Sequence, residues 1–106
     1  MKVTVRLLCE EKRWEAQHEF DLPTIPQVGW KLYVSDQSDE AIVKEVFLDL
    51  FNEDAEIVCE LLEPNQFVFV FWNGSFQNSP WHFINHGREE NENEFRQALQ
   101  EMTEAE

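Results

Sequence analysis

Two histidines are the first residues whose type and spacing could support chemistry. His82 and His86 are four positions apart, and on a helix this spacing would place both imidazoles within reach of one metal ion. Pro80 and Gly87 bracket the pair, however, and leave a stretch too short for a stable helix. The chain also lacks a Cys-x-x-Cys motif that would supply further zinc ligands. We therefore predict no metal site and no cofactor.

No set of residues indicates a catalytic centre. The chain has 22 Asp and Glu residues, but a catalytic pair of carboxylates needs an environment that separates the two pKa values. Here the acids fall in turns and on polar faces of predicted strands. The Ser, Thr and Cys residues lack a nearby base and a Gly-x-Ser-x-Gly elbow, and no glycine-rich phosphate loop is present. The sequence therefore predicts a protein that is not an enzyme.

The acidic residues instead form rows along predicted strands. Residues i and i+2 of a strand lie about 6.6 to 6.8 Å apart on one face, so alternation places like charges close together. The predicted rows are Glu15, Glu19 and Asp21, then Glu45 and Asp49, then Glu56 and Glu60. A surface needed only for solubility usually mixes Lys among its acids. We therefore take all of these acids except Asp21 as partner-binding residues.

The net charge of −14 is concentrated in two blocks. Residues 36–63 hold ten acids and one base, which gives −9, and residues 88–106 hold seven acids and two bases, which gives −5. Because nucleic acids and anionic lipids are bound through Lys and Arg, we expect no direct nucleic-acid or membrane partner. The charge favours a basic protein surface, such as that of a nucleic-acid-binding enzyme or complex. An inhibitor from a phage or mobile element that mimics DNA would present such rows.

The second distinctive feature of the sequence is an uncharged band of aromatic residues. It holds seven of the 14 aromatic residues: Phe67, Phe69, Phe71, Trp72, Phe76, Trp81 and Phe83. Packing in the core is the ordinary interpretation of such a band. Trp81 follows Pro80 in irregular sequence, so we expect it to be more exposed than Trp72 and to act as a partner-binding anchor. The alternative function is a ligand-binding or accessory β-barrel domain that uses residues 67–83.

Alternating polarity predicts the strands that position these residues. The predicted strands are 2–9, 13–22, 30–35, 41–51, 55–63 and 67–72, and the last returns through an Asn73-Gly74 turn. Residues 41–51 also carry a helical stripe, so an α+β fold with residues 39–52 helical stays open as an alternative. The short, regularly spaced strands predict an all-β (mainly β) fold. We expect a small, partly open antiparallel barrel of about six to seven strands with a short C-terminal helix.

The C-terminal segment and the cysteines complete the expected organisation. Residues 1–88 form a single β-barrel domain, and residues 89–106 form an acidic amphipathic helix or tail, with apolar residues at Phe95, Leu99 and Met102. Cys9 and Cys59 lie in apolar strands, and no secretory signal is visible. We therefore expect buried, reduced thiols and a cytoplasmic protein.

Overall fold

Six strands and two helices make up the described part of the chain. The computed structural model describes residues 2–34, 40–71 and 81–104. In chain order the elements are β1 (Lys2–Cys9), β2 (Trp14–Asp21), β3 (Lys31–Tyr33), β4 (Glu40–Asp49), β5 (Asp54–Glu60), α1 (Pro64–Phe71), β6 (His82–Ile84) and α2 (Glu89–Glu104). No helix within these ranges has the length and apolar character needed to cross a membrane.

All six strands belong to one sheet with the order β3-β4-β5-β1-β2-β6. Strands β1 and β5 run parallel, and the other neighbouring strands run antiparallel. Among the described residues the two outermost strands, β3 and β6, do not pair with each other, so the sheet is open. The predicted mainly β character is confirmed. The predicted antiparallel barrel is not confirmed, because the structure has a single open mixed sheet covered by helices.

The strands predicted at residues 2–9 and 13–22 pair as one hairpin, and those predicted at residues 41–51 and 55–63 pair as another. In the first, Val3 of β1 pairs with Phe20 of β2, and Cys9 pairs with Trp14. In the second, β4 pairs with β5 along most of its length. The strand prediction for residues 41–51 is therefore confirmed as far as Asp49, whereas residues 50–51 lie in the turn, and the alternative of a helix over residues 39–52 is wrong. Its many β-branched and aromatic residues suit an extended strand better than a helix.

A helix replaces the strand predicted at residues 67–72. Helix α1 begins at Pro64, a residue suited to the first helical position because its missing N–H would have no intrahelical partner. The Gln66 side chain accepts a hydrogen bond from the Glu63 backbone N–H at 3.3 Å, as the third helical residue does in a capping box. Phe67, Val68 and Phe71 are buried on one side of the helix. Trp72 and the predicted Asn73-Gly74 turn lie outside the described residues.

Aromatic rings join the helices to the sheet. The Phe67 ring lies 5.6 Å from the ring of Trp14 on β2 and 5.6 Å from that of Phe95 on α2, measured between centroids. Phe83 of β6 stacks on Phe95 at 4.6 Å. The core interpretation of the aromatic band is therefore confirmed for Phe67, Phe71 and Phe83, which belong to this core or pack against it. We call the side of the sheet that the helices cover the inner face.

Helix α2 packs on the inner face through the predicted apolar stripe. Phe95 is buried, and Leu99 and Met102 are partly buried against the core. Lys12, in the turn after β1, lies 2.8 Å from Glu94 and ties the helix to the first hairpin. Three glutamates in the first turn suit the positive end of the helix dipole. The amphipathic C-terminal helix is therefore confirmed.

Both cysteines are free thiols buried on the inner face. Burial raises the pKa of each thiol, and it raises that of Cys59 to about 11. The two thiols are therefore protonated at neutral pH and are weak nucleophiles. The prediction of buried, reduced cysteines is confirmed.

Candidate protein-interaction surface

The face of the sheet opposite the helices, the outer face, carries the acidic residues of the strands. Glu15 and Glu19 lie there on β2, and Glu56 and Glu60 lie there on β5, because side chains alternate between the two faces. Strand β4 reaches the same arrangement through a bulge between Val43 and Glu45. In a regular strand, residues two positions apart lie on the same face, so Glu45 would lie on the inner face with Val43. The bulge adds one residue and thereby places Glu45 on the outer face.

Glu15 is part of an ion-pair network and is not available to a partner. Its side chain is buried, with 6% of the residue exposed. Arg6 donates a hydrogen bond to it at 2.7 Å, and His86 Nε2 lies 3.2 Å away. The hydrogen bond from Arg6 to Glu15 also raises the pKa of Arg6. The assignment of Glu15 as a partner-binding residue is therefore corrected to a structural role.

The other predicted rows are also mixed with bases. Arg6 lies 3.5 Å from Glu56, Lys2 lies 3.3 Å from Glu19, and Lys44 lies 3.8 Å from Glu60. Lys2 and Arg6 reach these acids because β1 lies between β2 and β5 in the sheet, and Lys44 reaches Glu60 because β4 lies beside β5. The expectation of unmixed rows is therefore wrong for this part of the outer face. Exposed ion pairs of this kind contribute about 0 to 1 kcal/mol each to stability.

The end of the β4–β5 hairpin differs from the rest of the outer face. Within the described ranges no salt bridge holds Glu45, Asp49, Glu53 or Asp54. Two of the predicted partner-binding acids, Glu45 and Asp49, are therefore among the described acids that form no salt bridge. It also adds two acids that the sequence analysis did not select.

Asp49 builds the turn that joins β4 to β5. One carboxylate oxygen accepts hydrogen bonds from the backbone N–H groups of Phe51 and Asn52, each at 3.0 Å. The other oxygen accepts a hydrogen bond from the Asn52 side chain at 2.8 Å. These hydrogen bonds, led by the one from the Asn52 side chain, lower the pKa of Asp49. Asp49 therefore stabilises the turn and also contributes a negative charge to this end of the hairpin.

Four large apolar side chains are exposed at the same hairpin end. Leu50 is 86% exposed and Phe51 is 94% exposed, and Phe47 and Leu48 of β4 are exposed as well. We define the hairpin patch as these apolar residues and the four acids beside them: Phe47, Leu48, Leu50, Phe51, Glu45, Asp49, Glu53 and Asp54. Phe47, Leu50 and Phe51 belong to the helical stripe of apolar residues within 41–51. The signal that they are exposed was the polar Asn52-Glu53-Asp54 turn directly after them.

Trp81 is buried, with 8% of its surface exposed. Its ring lies 5.5 Å from that of His18 and 5.8 Å from that of Phe20. Trp81 also lines a mainly apolar cleft of about 480 Å³, together with Leu22, Leu32 and other residues. The expectation that Trp81 is an exposed anchor is therefore wrong. Its comparison with Trp72 lies outside the described residues.

The two histidines of the possible metal site lie in different elements. His82 belongs to β6, whereas His86 lies in the following loop with a φ of 52°. The structure pairs His86 with Glu15 and places His82 on the edge strand of the sheet. Across the described ranges no group of three or more His, Cys, Asp or Glu residues could hold a metal ion.

Comparisons with known proteins return no match. No protein-family model matches the chain, no curated protein matches it, and no solved structure matches its fold. The geometry of the hairpin patch is therefore the basis for a functional inference.

Proposed function

We propose that this protein is an acidic protein-binding module whose hairpin patch docks on a basic surface of its partner. The observation that carries the proposal is the meeting of four exposed apolar side chains and four carboxylates at one hairpin end. Exposed apolar residues close to charged ones are typical of protein interaction sites. Phe51 and Leu50 would supply the apolar contact, and the carboxylates would set the register.

The charge of the patch favours a partner rich in Lys and Arg. A partner surface without bases would remove water from carboxylates such as Glu45 and Glu53 and give no compensating charge. Opposite charges across an interface also increase the rate of association and exclude wrong partners. The net charge of −14 would steer the whole molecule toward a basic surface in the same way.

The partner class that fits best is a nucleic-acid-binding enzyme or complex. Such proteins carry extended Lys and Arg surfaces because they must neutralise phosphates. Occupying that surface would block nucleic acid, so the module would act as an inhibitor of the kind that phages and mobile elements use. It would act in the cytoplasm by binding alone, without a catalytic step.

A second candidate function uses the cleft beside Trp81. Its volume of about 480 Å³ lies within the range of about 300 to 1,000 Å³ that is common for small-molecule sites. Phe20, Leu22, Leu32 and Trp81 would contact an apolar ligand there. This function corresponds to a ligand-binding or accessory domain, although the described aromatic residues at 67 and 71 lie in the core and do not line the cleft.

Capture from the native host with paired charge variants tests the docking proposal. We expect Glu45→Lys with Glu53→Lys to abolish capture of the basic partner, since both acids belong to the hairpin patch. Glu101→Lys with Glu104→Lys on α2 is the matched control, because either pair changes the net charge from −14 to −10. Asp49 is left unchanged because it builds the turn.

Two further measurements complete this test. Leu50→Ser with Phe51→Ser should also abolish capture, whereas the α2 control should retain it. Raising the salt concentration should weaken capture, because the Debye length shrinks to about 3 Å at 1 M salt. Equal capture by the hairpin and α2 charge variants would show that the patch is not the docking surface.

A further inference from the structure

In the part of the chain that the structure describes, the edge of β4 that faces away from β5 is paired only at its start. Strand β3 pairs with residues 40–42 of β4, at the start of the strand. The ladder ends at Val43, whose N–H donates to the carbonyl of Trp30 and whose carbonyl accepts from the N–H of Gly29, both at 2.9 Å. From residue 44 to residue 49, no strand of the described residues lies beside β4 on this edge.

The register identifies the backbone groups that face this open edge. In an antiparallel pair, residues alternate between bonding to the partner strand and pointing away from it. Val43 points away from β5, and the bulge that follows shifts the alternation by one residue. Val46, opposite Ile57, and Leu48, opposite Ala55, therefore direct their N–H and C=O groups toward the open edge.

The side chains along this edge provide little protection against pairing. Natural edge strands are commonly blocked by Lys, Pro, bulges or very short length. The bulge and Lys44 lie at the beginning of the open part, and beyond them the outer face carries Glu45, Phe47 and Asp49. Phe47 and Leu48 are exposed. Open backbone groups beside exposed apolar side chains are what an added strand requires.

We propose that the open edge of β4 accepts an extended segment of the basic partner as an additional strand, an inference that rests on the proposed function. The segment carries Lys or Arg at two positions that are four residues apart and face Glu45 and Asp49. An apolar residue between them faces Phe47. Cross-strand pairs of opposite charge and of apolar residues stabilise such a ladder, and the backbone groups of Val46 and Leu48 fix its register.

A second copy of this chain fits the same edge poorly. An antiparallel pair of β4 edges centred on Phe47 would place Glu45 opposite Asp49 of the second copy. Like charges directly opposite each other destabilise a strand pair. The charge pattern of the edge therefore selects a basic segment as the occupant.

A defined peptide tests this mode of binding. The probe is a seven-residue peptide with Lys at its second and sixth positions, Val at its fourth and Thr elsewhere. The matched peptide has the same composition with its Lys residues adjacent. In an NMR titration we expect the probe peptide to bind more tightly than the matched peptide. We also expect it to slow hydrogen exchange of the Val46 and Leu48 amides. The probe peptide N-methylated on the amides that would pair with β4 should bind more weakly and should not slow this exchange. This control leaves the protein unchanged.

Leu48→Pro and Leu48→Ala provide the corresponding pair of protein variants. Proline removes the outward N–H of residue 48 and leaves the hydrogen bonds between β4 and β5 in place, whereas alanine keeps the N–H. We expect Leu48→Pro to weaken binding at least about fivefold relative to Leu48→Ala, as the loss of a backbone hydrogen bond would. The dispersion of the amide spectrum verifies that each variant is folded.

The outcomes separate this inference from the proposed function. If both peptides bind equally and amide exchange is unchanged, while Glu45→Lys with Glu53→Lys still abolishes partner capture, edge pairing is overturned and docking through side chains stands. If partner capture is insensitive to the hairpin carboxylates, the proposed function itself fails. If the protein dimerises and its Val46 and Leu48 amides are protected from hydrogen exchange without peptide, the proposal of a basic segment is overturned. A second copy of the chain would then occupy the edge.

Discussion

Asp49 combines two roles at the scale of a single residue. Its charge belongs to the hairpin patch, and its oxygens hold the backbone of Phe51 and Asn52 in the turn. Because these hydrogen bonds lower its pKa, the ionised side chain stabilises the folded turn above its ordinary pKa of 3.8. This contribution is lost as the pH falls through the lowered pKa of the folded state.

Asp49→Asn and Asp49→Ala separate the two roles. Asparagine keeps the oxygen that accepts the two backbone hydrogen bonds, whereas alanine removes it. We expect faster exchange of the Phe51 and Asn52 amides in Asp49→Ala and near-native exchange in Asp49→Asn at pH 6. Between pH 6 and pH 2 the wild-type amide shifts of Phe51 and Asn52 should titrate, and those of Asp49→Asn should not. The same titration in both proteins would show that another acid controls the turn.

Glu15 shows the limit of sequence patterns at this scale. Alternation places it correctly on the polar face of β2, but it does not reveal that the side chain is buried. The reason is its environment: Arg6 from β1 and His86 from the loop after β6 converge on it. His86 is far from Glu15 in sequence, so no local pattern could have indicated this contact.

At the scale of elements, the sequence was informative where contacts are local. The hairpins β1–β2 and β4–β5 follow from alternation and from the short turns between their strands. The parallel pairing of β1 with β5 joins strands about 50 residues apart and leaves no local mark in the sequence. This pairing makes the sheet mixed, whereas the expected barrel was antiparallel.

Helix α1 illustrates a different ambiguity. The run Phe67-Val68-Phe69-Val70-Phe71 is apolar throughout, and a short apolar run has the same appearance whether it is a buried strand or a buried helix. Pro64 and Gln66 carried the information that distinguishes the two, since both are typical of a helix N-terminus. The β-propensity of Phe and Val outweighed these signals in the sequence analysis.

Phe67→Ala should measure how strongly α1 holds the fold together. Phe67 is fully buried and contacts the rings of Trp14, Phe71, Phe83 and Phe95. We expect the free energy of unfolding to fall by about 3 to 5 kcal/mol, as for other buried Phe to Ala changes. Urea denaturation gives this value directly.

Phe51→Ala is the matched control for this measurement. The chemical change is the same, but Phe51 is 94% exposed, so the free energy of unfolding should change by no more than about 0.5 kcal/mol. If the two variants lost similar stability, Phe51 would have to pack against part of the folded chain. The hairpin patch would then not be a free surface.

At the scale of the whole molecule, charge and topology act together. Among the described residues the helices lie on the inner face, and no strand lies beside residues 44–49 of β4 on the edge that faces away from β5. Bases from β1 form ion pairs with acids at the centre of the outer face, whereas within the described ranges no salt bridge holds the four carboxylates of the hairpin patch. The protein thus has a net charge of −14 with one locally distinct patch.

This charge predicts opposite effects of salt on stability and on binding. Repulsion among excess acids destabilises a compact chain with a radius of gyration of 14.0 Å. Added salt screens this repulsion, and the exposed ion pairs that it also weakens contribute only about 0 to 1 kcal/mol each. We therefore expect Tm to rise as NaCl increases from about 0.02 M to 0.5 M, a range over which the Debye length falls well below about 10 Å. Partner capture should weaken over the same range.

The α2 variant pair provides the control for the thermal measurement. Glu101→Lys with Glu104→Lys reduces the net charge to −10, so its Tm should start higher and rise less with salt than that of the wild-type protein. Differential scanning fluorimetry at several NaCl concentrations measures both slopes. A wild-type Tm that falls with salt would show that ion pairs such as the one between Arg6 and Glu15 outweigh the repulsion. In that case the excess negative charge would have little effect on folding, and its steering of a basic partner would have to be measured by association rates alone.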